Sequence, residues 1–211
     1  MTIEEIREKI LTNDSFVESE LQKFVTYFNL KHTIRWAKDR EGDYTESVAE
    51  HVFGMQVLLN YFLPVIDSEK EFDINLVYHM ATWYDMAEAV VSDMTTKTKT
   101  LAHEEAEKEA EIMLIATAPV HLKDTLTTIY DTYANRASTE AKFVKAIDKM
   151  EPMFHLYFLK QKGISVPDHY PMQWEADEYR KHRAKYLDAF PILKRFDDVL
   201  YEETKEYYPA K

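Results

Sequence analysis

The sequence predicts an all-α protein, and three observations support this fold class. Only three glycines and seven prolines occur among 211 residues, which leaves too little turn-forming sequence for a many-stranded sheet. Apolar residues recur at helical spacing in several segments that polar stretches separate. The hydrophobic content is 45%, and no repeat or linker composition divides the chain. We therefore expect one compact helical domain over residues 1–211.

The individual helices are predicted from capping signals and apolar periodicity, in chain order. Thr2 and Glu5 have the spacing of a capping box that starts the first helix, and residues 13–15 can cap the second. Asp73 can cap the fourth helix, and Gly163 ends the longest one. After the N-terminal pair, helices are predicted over residues 47–62 (ending at Pro64), 74–91, 102–117, 119–133, 139–162, 173–189 and 192–207.

The charge balance argues against several classes of partner. A formal net charge of −12 is unfavourable for binding nucleic acid or an anionic membrane, because both need a surplus of Lys and Arg. No apolar run approaches the roughly 20 residues of a membrane span, and the acidic first residues do not resemble a signal peptide. The lack of cysteine removes disulfides and thiolate sites. We expect a cytoplasmic protein in which any phosphate ligand meets locally placed positive charge.

The most informative stretch is the end of the fourth predicted helix, Trp83-Tyr84-Asp85-Met86-Ala87-Glu88. Residues three or four apart share a helix face, so Tyr84, Asp85 and Glu88 can line one pocket. The D-x-x-E spacing alone is more common on solvated acidic faces. Here the acids lie among apolar residues, which predicts a buried helix. Buried acids need a metal, a cation or a hydrogen-bond network.

Two further polar residues, His51 and Asp148, are informative only in combination with this stretch. His51 lies near a predicted helix start, where a single histidine is more often structural than a ligand. Asp148 lies on the apolar side of a helix, and Pro152 four residues later bends the backbone by removing the hydrogen bond to the Asp148 carbonyl. A buried partner for Lys or Arg explains Asp148 as well as a ligand role does.

The order of these residues resembles the HD-domain metal-dependent phosphohydrolases, most closely their 5′-deoxynucleotidase branch. His51, then Asp85-x-x-Glu88, then Asp148 stand on three separate predicted helices, in the order of the family signature. The resemblance covers about residues 30–159. Residues 1–29 and 171–208 are then flanking packing helices around an HD-type bundle.

The resemblance implies a metal centre. His51, Asp85 and Asp148 would bind a divalent metal, with Mn, Co, Fe and Zn suited to imidazole and carboxylate ligands. Glu88, one turn after Asp85, would orient or deprotonate the attacking water as general base.

The resemblance also implies a nucleotide-binding role for residues outside the metal centre. Arg35 would hold the phosphate, and Trp36 would offer an aromatic wall to the substrate. Asp93, counted with Glu88 among the catalytic residues, would also accept a hydrogen bond from the sugar. Without the resemblance, Arg35 and Trp36 fit a surface cation–π pair or a core anchor equally well. Family relatives are commonly homodimers, so we also expect dimerisation.

Two residues depart from the family pattern. Tyr84 stands where the second histidine ligand is expected, and loss of that nitrogen should cost at least the roughly 10–100-fold in affinity that changes around a metal site cost. Three protein ligands and a water still form a workable catalytic site. Ser92 stands where relatives commonly have glycine, which predicts a changed backbone at Asp93.

Three functional hypotheses follow. The first is a metal-dependent hydrolase that converts nucleoside, especially deoxyribonucleoside, 5′-monophosphates into nucleoside and phosphate. The second is a metal-deficient or engineered HD-fold protein that binds a nucleotide or another small ligand without turnover, because Tyr84 fills part of the metal volume. The third, a di-iron oxygenase, needs more histidines than the motif offers.

Overall fold

The computed structural model describes residues 1–67, 69, 71–95, 99–167 and 176–207, and the helical prediction is confirmed there. Within these ranges the β interactions are limited to one isolated antiparallel bridge between Ile34 and Ser47. Among the described helices, none has the length and apolarity needed to cross a membrane. The helices are α1 (Ile3–Thr12), α2 (Asp14–Phe28), α3 (Val48–Ile66), α4 (Ile74–Trp83), α5 (Glu88–Val91), α6 (Leu101–Thr117), α7 (Lys123–Asn135), α8 (Thr139–Lys162), α9 (Ala176–Leu187) and α10 (Pro191–Thr204), with 3-10 turns at Asn29–Lys31, Val120–Leu122 and Lys205–Tyr207.

The predicted caps form where the sequence places them. The Thr2 hydroxyl and the Glu5 carboxylate make a reciprocal capping box on α1, and the Asn13 side chain accepts from the backbone N–H of Phe16 on α2. The Asp73 carboxylate accepts from Leu76 N–H and caps α4. Local polar chemistry therefore sets where these helices begin.

Helix α8 lies at the centre of the fold and packs against α3, α4, α9 and α10. Its buried residues Phe143, Ile147 and Met150 belong to one hydrophobic cluster with Met55 and Phe62 of α3. A second cluster joins the start of α3 to α5 and α6. The helices that carry the candidate site residues are thus fixed by packing on both sides.

Gly54 permits a close approach of α3 to α8. A Cβ atom at this position would lie only 2.4 Å from Oε1 of Glu151 on α8. Glycine leaves room there for the buried carboxylate of Glu151, which contacts His51 of the candidate site.

The predicted helix 74–91 is interrupted at the motif, and this is a correction. Helix α4 ends at Trp83, and the next residues form a tight turn before the short helix α5. The turn is closed by bonds of the 3-10 type, from Met86 N–H to the Trp83 carbonyl (3.1 Å) and from Glu88 N–H to the Asp85 carbonyl (3.0 Å). Side chains three apart eclipse in such a turn, so Asp85 and Glu88 still project to one side.

Other boundaries were also predicted imperfectly. Helix α3 continues through Pro64 to Ile66. The carbonyl that Pro64 leaves without a bond belongs to Asn60, an exposed residue, so water can satisfy it. Helix α7 begins at Lys123 rather than Pro119, after a 3-10 turn. Residues 173–175 of the predicted helix 173–189, and residues 171–175 and 208 of the predicted flanking segment 171–208, lie outside the described residues.

Candidate active site

A cavity of about 250 Å³ opens beside the centre of α8. The loop at residues 35–36, the turn at 85–88, the loop at 93–95 and helices α8 and α9 form its walls. Asp85, Glu88, Asp93 and Asp148 line it together with Arg35 and Trp36, so the structure brings nearly all the predicted site residues to one place.

The three predicted metal ligands converge, although they come from different elements. One imidazole nitrogen of His51, one oxygen of Asp85 and one oxygen of Asp148 all lie within 4.8 Å of one another. Packing of α3 and α8 places His51 and Asp148, and the tight turn places Asp85. We call these three residues the donor group.

Tyr84 reaches this donor group through its hydroxyl. Its oxygen lies 2.9 Å from Nε2 of His51 and 3.4 Å from Oδ1 of Asp148. The ring is buried and packs against Tyr133, with centroids 4.7 Å apart. Burial, together with Asp148 and Asp85, holds the pKa of the phenol well above its usual value. In the absence of a metal ion the Tyr84 hydroxyl is therefore neutral and can donate a hydrogen bond.

His51 is oriented from its other side by an acid. Its Nδ1 lies 2.5 Å from Oε2 of Glu151, which turns Nε2 towards Tyr84 and Asp148. Burial and the neighbouring Arg35 lower the pKa of His51, but Glu151 and Asp148 outweigh them and raise it to about 9. A carboxylate behind a histidine is the usual device for fixing the ring of a metal ligand.

The surroundings of Asp148 match both alternatives that the sequence left open, a metal ligand and a buried partner for Lys or Arg. It belongs to the donor group, and its Oδ2 also pairs with Lys145 Nζ at 2.7 Å and Lys149 Nζ at 3.2 Å. Burial would raise the pKa of Asp148, but the two lysines and His51 hold it well below its usual value. We did not predict a role for these lysines, although their positions three before and one after Asp148 on a helix were a usable signal.

Glu88 and Asp85 form an acidic pair that is only partly exposed. Burial and the charge of Asp148 raise the pKa of Asp85 to about 6. Burial, Asp85 and Asp93 together raise the pKa of Glu88 well above its usual value. A carboxyl group with a raised pKa, beside converging metal donors, is suited to accept a proton.

Arg35 and Trp36 both line the cavity, but Arg35 is also paired with an acid inside the protein. Arg35 is 7% exposed, and its NH1 donates to Glu46 Oε1 at 2.6 Å, so part of its charge is used inside the protein. The guanidinium stacks over the Trp36 ring at 4.5 Å. Trp36 has a left-handed backbone, with φ of 58°, and its N–H donates to Oδ2 of Asp93 at 2.9 Å.

Helix α9 supplies a wall of the cavity that we did not predict. Tyr179, His182 and Tyr186 have the spacing of one helix face, and all three line the cavity. Burial, followed by nearby cations such as Lys185, lowers the pKa of His182 to about 4, so its ring is neutral near pH 7. The i, i+3, i+7 aromatic spacing was visible in the sequence but is equally typical of a core face.

The donor group fits a metal ion by its chemistry. One imidazole and two carboxylates are ligands that Mn, Co, Fe and Zn accept, and three protein ligands leave positions for water and substrate. A second set of donor atoms, from Glu46, His51 and Glu151, also lies together. Arg35 already neutralises that set, with NH1 at 2.6 Å from Glu46 and 3.5 Å from Glu151.

Comparisons with known proteins identify the family of this chain. A family model described as an HD domain matches residues 28–186. The chain is 26% identical over 172 residues to the 5′-deoxynucleotidase hdd1 of Schizosaccharomyces pombe, covering 78% of this chain and 79% of that protein. It is 29% identical over 108 residues to the human 5′-deoxynucleotidase HDDC2, covering 50% of each chain. The match thus spans only half the length of the human relative.

Solved structures show the same fold. A predicted metal-dependent phosphohydrolase from Magnetospirillum magnetotacticum superimposes with a TM-score of 0.69 at 18% identity, covering 92% of this chain and 98% of that one. An HD-domain phosphohydrolase from Listeria innocua superimposes with a TM-score of 0.58 at 18% identity, covering 88% and 93%.

Proposed function

This chain belongs to the HD domain family, and on that premise we propose that it is a metal-dependent phosphohydrolase that acts on nucleoside 5′-monophosphates. Deoxyribonucleotides are the preferred class in this proposal, since the similar proteins from Schizosaccharomyces pombe and human carry the name 5′-deoxynucleotidase. The products are a nucleoside and inorganic phosphate.

The observation that carries the proposal is the convergence of the donor group beside Glu88 at one cavity. A divalent metal held by the donor group would polarise a phosphoryl oxygen and lower the pKa of a water molecule. Mn, Co, Fe and Zn are the candidates, because the donors are imidazole and carboxylate. Their affinity should be reduced by the tyrosine at position 84.

Glu88 is the proposed general base. It lines the cavity within the same turn as Asp85 and would accept a proton as the water oxygen attacks phosphorus. The new bond joins the water oxygen to phosphorus, the bond from phosphorus to the 5′ oxygen of the nucleoside breaks, and that oxygen takes up a proton from water. Lys145 and Lys149 line the same cavity and would offset the negative charge of the phosphate, which the chain's net charge of −12 otherwise opposes.

The rest of the cavity suits the sugar and base. The Asp93 carboxylate accepts a hydrogen bond from the Trp36 N–H and would also accept one from a sugar hydroxyl. Arg35 would contribute positive charge near the phosphate. The neutral ring of His182 and its tyrosine neighbours on α9 would stack on the nucleobase. Homodimerisation remains a prediction.

Phosphate release tests the proposal. Purified protein should liberate phosphate from deoxynucleoside monophosphates when Mn²⁺ or Co²⁺ is added, and bound metal should be measured in parallel. Glu88→Gln should lower turnover by about 10²–10⁴-fold while metal binding is retained, because only the proton acceptor is lost. Glu109→Gln, an isosteric change of an exposed acid on α6, is the matched control and should change neither quantity. An absence of turnover at millimolar metal would favour the non-catalytic binding hypothesis instead.

A further inference from the structure

Most of the cationic side chains that line the cavity already have acidic partners. The four pairs are Arg35–Glu46, Lys99–Glu107, Lys145–Asp148 and Lys149–Asp148. Arg136 also lines the cavity, and within the described ranges no Asp or Glu forms an ion pair with its guanidinium. Its charge is therefore the one in this lining that the described part of the chain does not neutralise.

The backbone of Arg136 has a conformation that arginine disfavours. Arg136 is the C-terminal cap of α7, with φ of 50° and ψ of 28°, in the left-handed region where helices usually end in glycine or asparagine. Helix α8 ends in the same conformation, and there the chain uses Gly163. A side chain at such a position costs stability, and costs of this kind are concentrated at functional sites.

Arg136 lies at the solvent-facing edge of the cavity, because it is exposed and yet lines it. Its charge acts on the region of the donor group. Burial, Asp148 and Asp85 raise the pKa of the Tyr133 hydroxyl, whereas Arg136 opposes them. That hydroxyl lies 3.4 Å from Oδ2 of Asp148.

A phosphate monoester needs an unpaired cation at this edge. Its phosphate carries a charge between about −1.5 and −2 near pH 7, and the chain's own net charge of −12 repels it. A guanidinium offers two parallel N–H donors that match two phosphate oxygens, and one without an acidic partner can use them for a ligand.

We propose that Arg136 is a substrate-binding residue that captures the phosphate of the incoming nucleotide at the edge of the cavity. The inference rests on the proposed function. It goes beyond that function because it assigns the capture of substrate to a residue outside the motif, on the connection between α7 and α8.

The test separates capture from chemistry. Two unit charges about 4 Å apart in water attract each other enough to change an equilibrium by about 5-fold, and a phosphate carries up to about two charges. Arg136→Gln should therefore lower kcat/KM for thymidine 5′-monophosphate at least about 5-fold at low ionic strength, through KM, with kcat unchanged. The difference from the wild type should shrink as KCl is added, because salt screens exposed charges.

Arg195→Gln is the matched control. Arg195 is exposed on α10 and is not part of the cavity lining, so the variant makes the same change in net charge at a distant place. It should leave kcat and KM unchanged. An equal loss of kcat/KM in both variants would mean that net charge alone matters and would overturn the role of Arg136.

Arg136→Gly excludes a merely structural role. Glycine removes the cost of the left-handed conformation, so the melting temperature should rise by about 2–4 °C. The value of kcat/KM should nevertheless fall as far as in Arg136→Gln. A variant that loses stability together with kcat/KM would show that Arg136 serves folding, and one that keeps the wild-type kcat/KM would show that it does not bind substrate.

Calorimetric binding of thymidine 5′-monophosphate separates this inference from the proposed function. A wild type that binds the nucleotide without releasing phosphate, and binds it more weakly as Arg136→Gln, would overturn the proposed function and support the inference. Phosphate release that Arg136→Gln leaves unchanged would overturn the inference alone. A wild type that neither binds nor hydrolyses the nucleotide at millimolar concentration would overturn both.

Discussion

The substitution Gly54→Ala tests how firmly the carboxylate behind His51 is held. Alanine is favoured over glycine inside a helix by about 1 kcal/mol, so local propensity predicts a more stable protein. The added Cβ would lie 2.4 Å from Oε1 of Glu151 and 3.1 Å from its Cδ and Cγ. Atoms cannot remain this close, so the buried Glu151 carboxylate must move.

The size of the effect follows from what that movement breaks. Glu151 is 5% exposed, and its Oε2 lies 2.5 Å from His51 Nδ1 and 3.5 Å from Arg35 NH1. Losing a hydrogen bond to a charged group costs about 1.5–3 kcal/mol. Subtracting the gain in propensity leaves a destabilisation of about 0.5–2 kcal/mol, or about 2–4 °C in melting temperature for each kcal/mol.

Urea unfolding of the wild type and variant measures this difference, and a double-mutant cycle supplies the control. In a Glu151→Ala background the carboxylate is gone, so Gly54→Ala should stabilise the protein by about 1 kcal/mol. If Gly54→Ala stabilises the wild type by the same amount, the Glu151 carboxylate moves without cost and the predicted destabilisation is wrong.

Three further predictions concern the remaining charged groups of the site. Arg35→Met should destabilise the protein by about 3–5 kcal/mol in urea, because buried Glu46 loses its partner at 2.6 Å; a change below about 1 kcal/mol would contradict this. Tyr84→His should raise Mn²⁺ affinity at least about 10-fold by calorimetry, and no gain would mean that other parts of the site have diverged. His182, with a pKa lowered to about 4 from 6.5, binds its proton more readily in the unfolded chain, so its contribution to stability is complete above pH 6.5 and is lost as the pH falls towards 4. His182→Asn should flatten the melting temperature over that interval, and an unchanged slope would rule out this contribution.

The fold class and most helices could be predicted because caps and apolar periodicity are local signals. The break after Trp83 could not, since no glycine or proline marks it and the tight turn depends on tertiary packing. The Pro64 prediction was wrong for the opposite reason: a strong local signal was tolerated because the affected carbonyl belongs to exposed Asn60.

The site was predicted where residue types at motif spacing carry the chemistry, as for the donor group and Glu88. The surroundings of the site could not be predicted, because they depend on which helices pack against one another. Glu151 lies 100 residues from His51 in sequence, and nothing local relates the two. The aromatic face of α9 is likewise compatible with a core role until its neighbours are known.

The hydrogen bond between Trp36 and Asp93 joins two loops whose backbones are both unfavourable. Ser92 has φ of 68° and ψ of 158°, a region adopted almost only by glycine. Each such residue costs about 1–3 kcal/mol. The 2.9 Å bond from Trp36 N–H to Asp93 links these two loops and offsets part of that cost.

Ligand binding and loop conformation are linked through this bond. A ligand group that displaced the Trp36 N–H from the Asp93 carboxylate would remove this restraint on the Trp36 backbone. A ligand that left the bond intact would meet a rim already set, at no cost in ordering. The effect of a ligand on these loops is therefore expected to add to the contacts that the ligand makes.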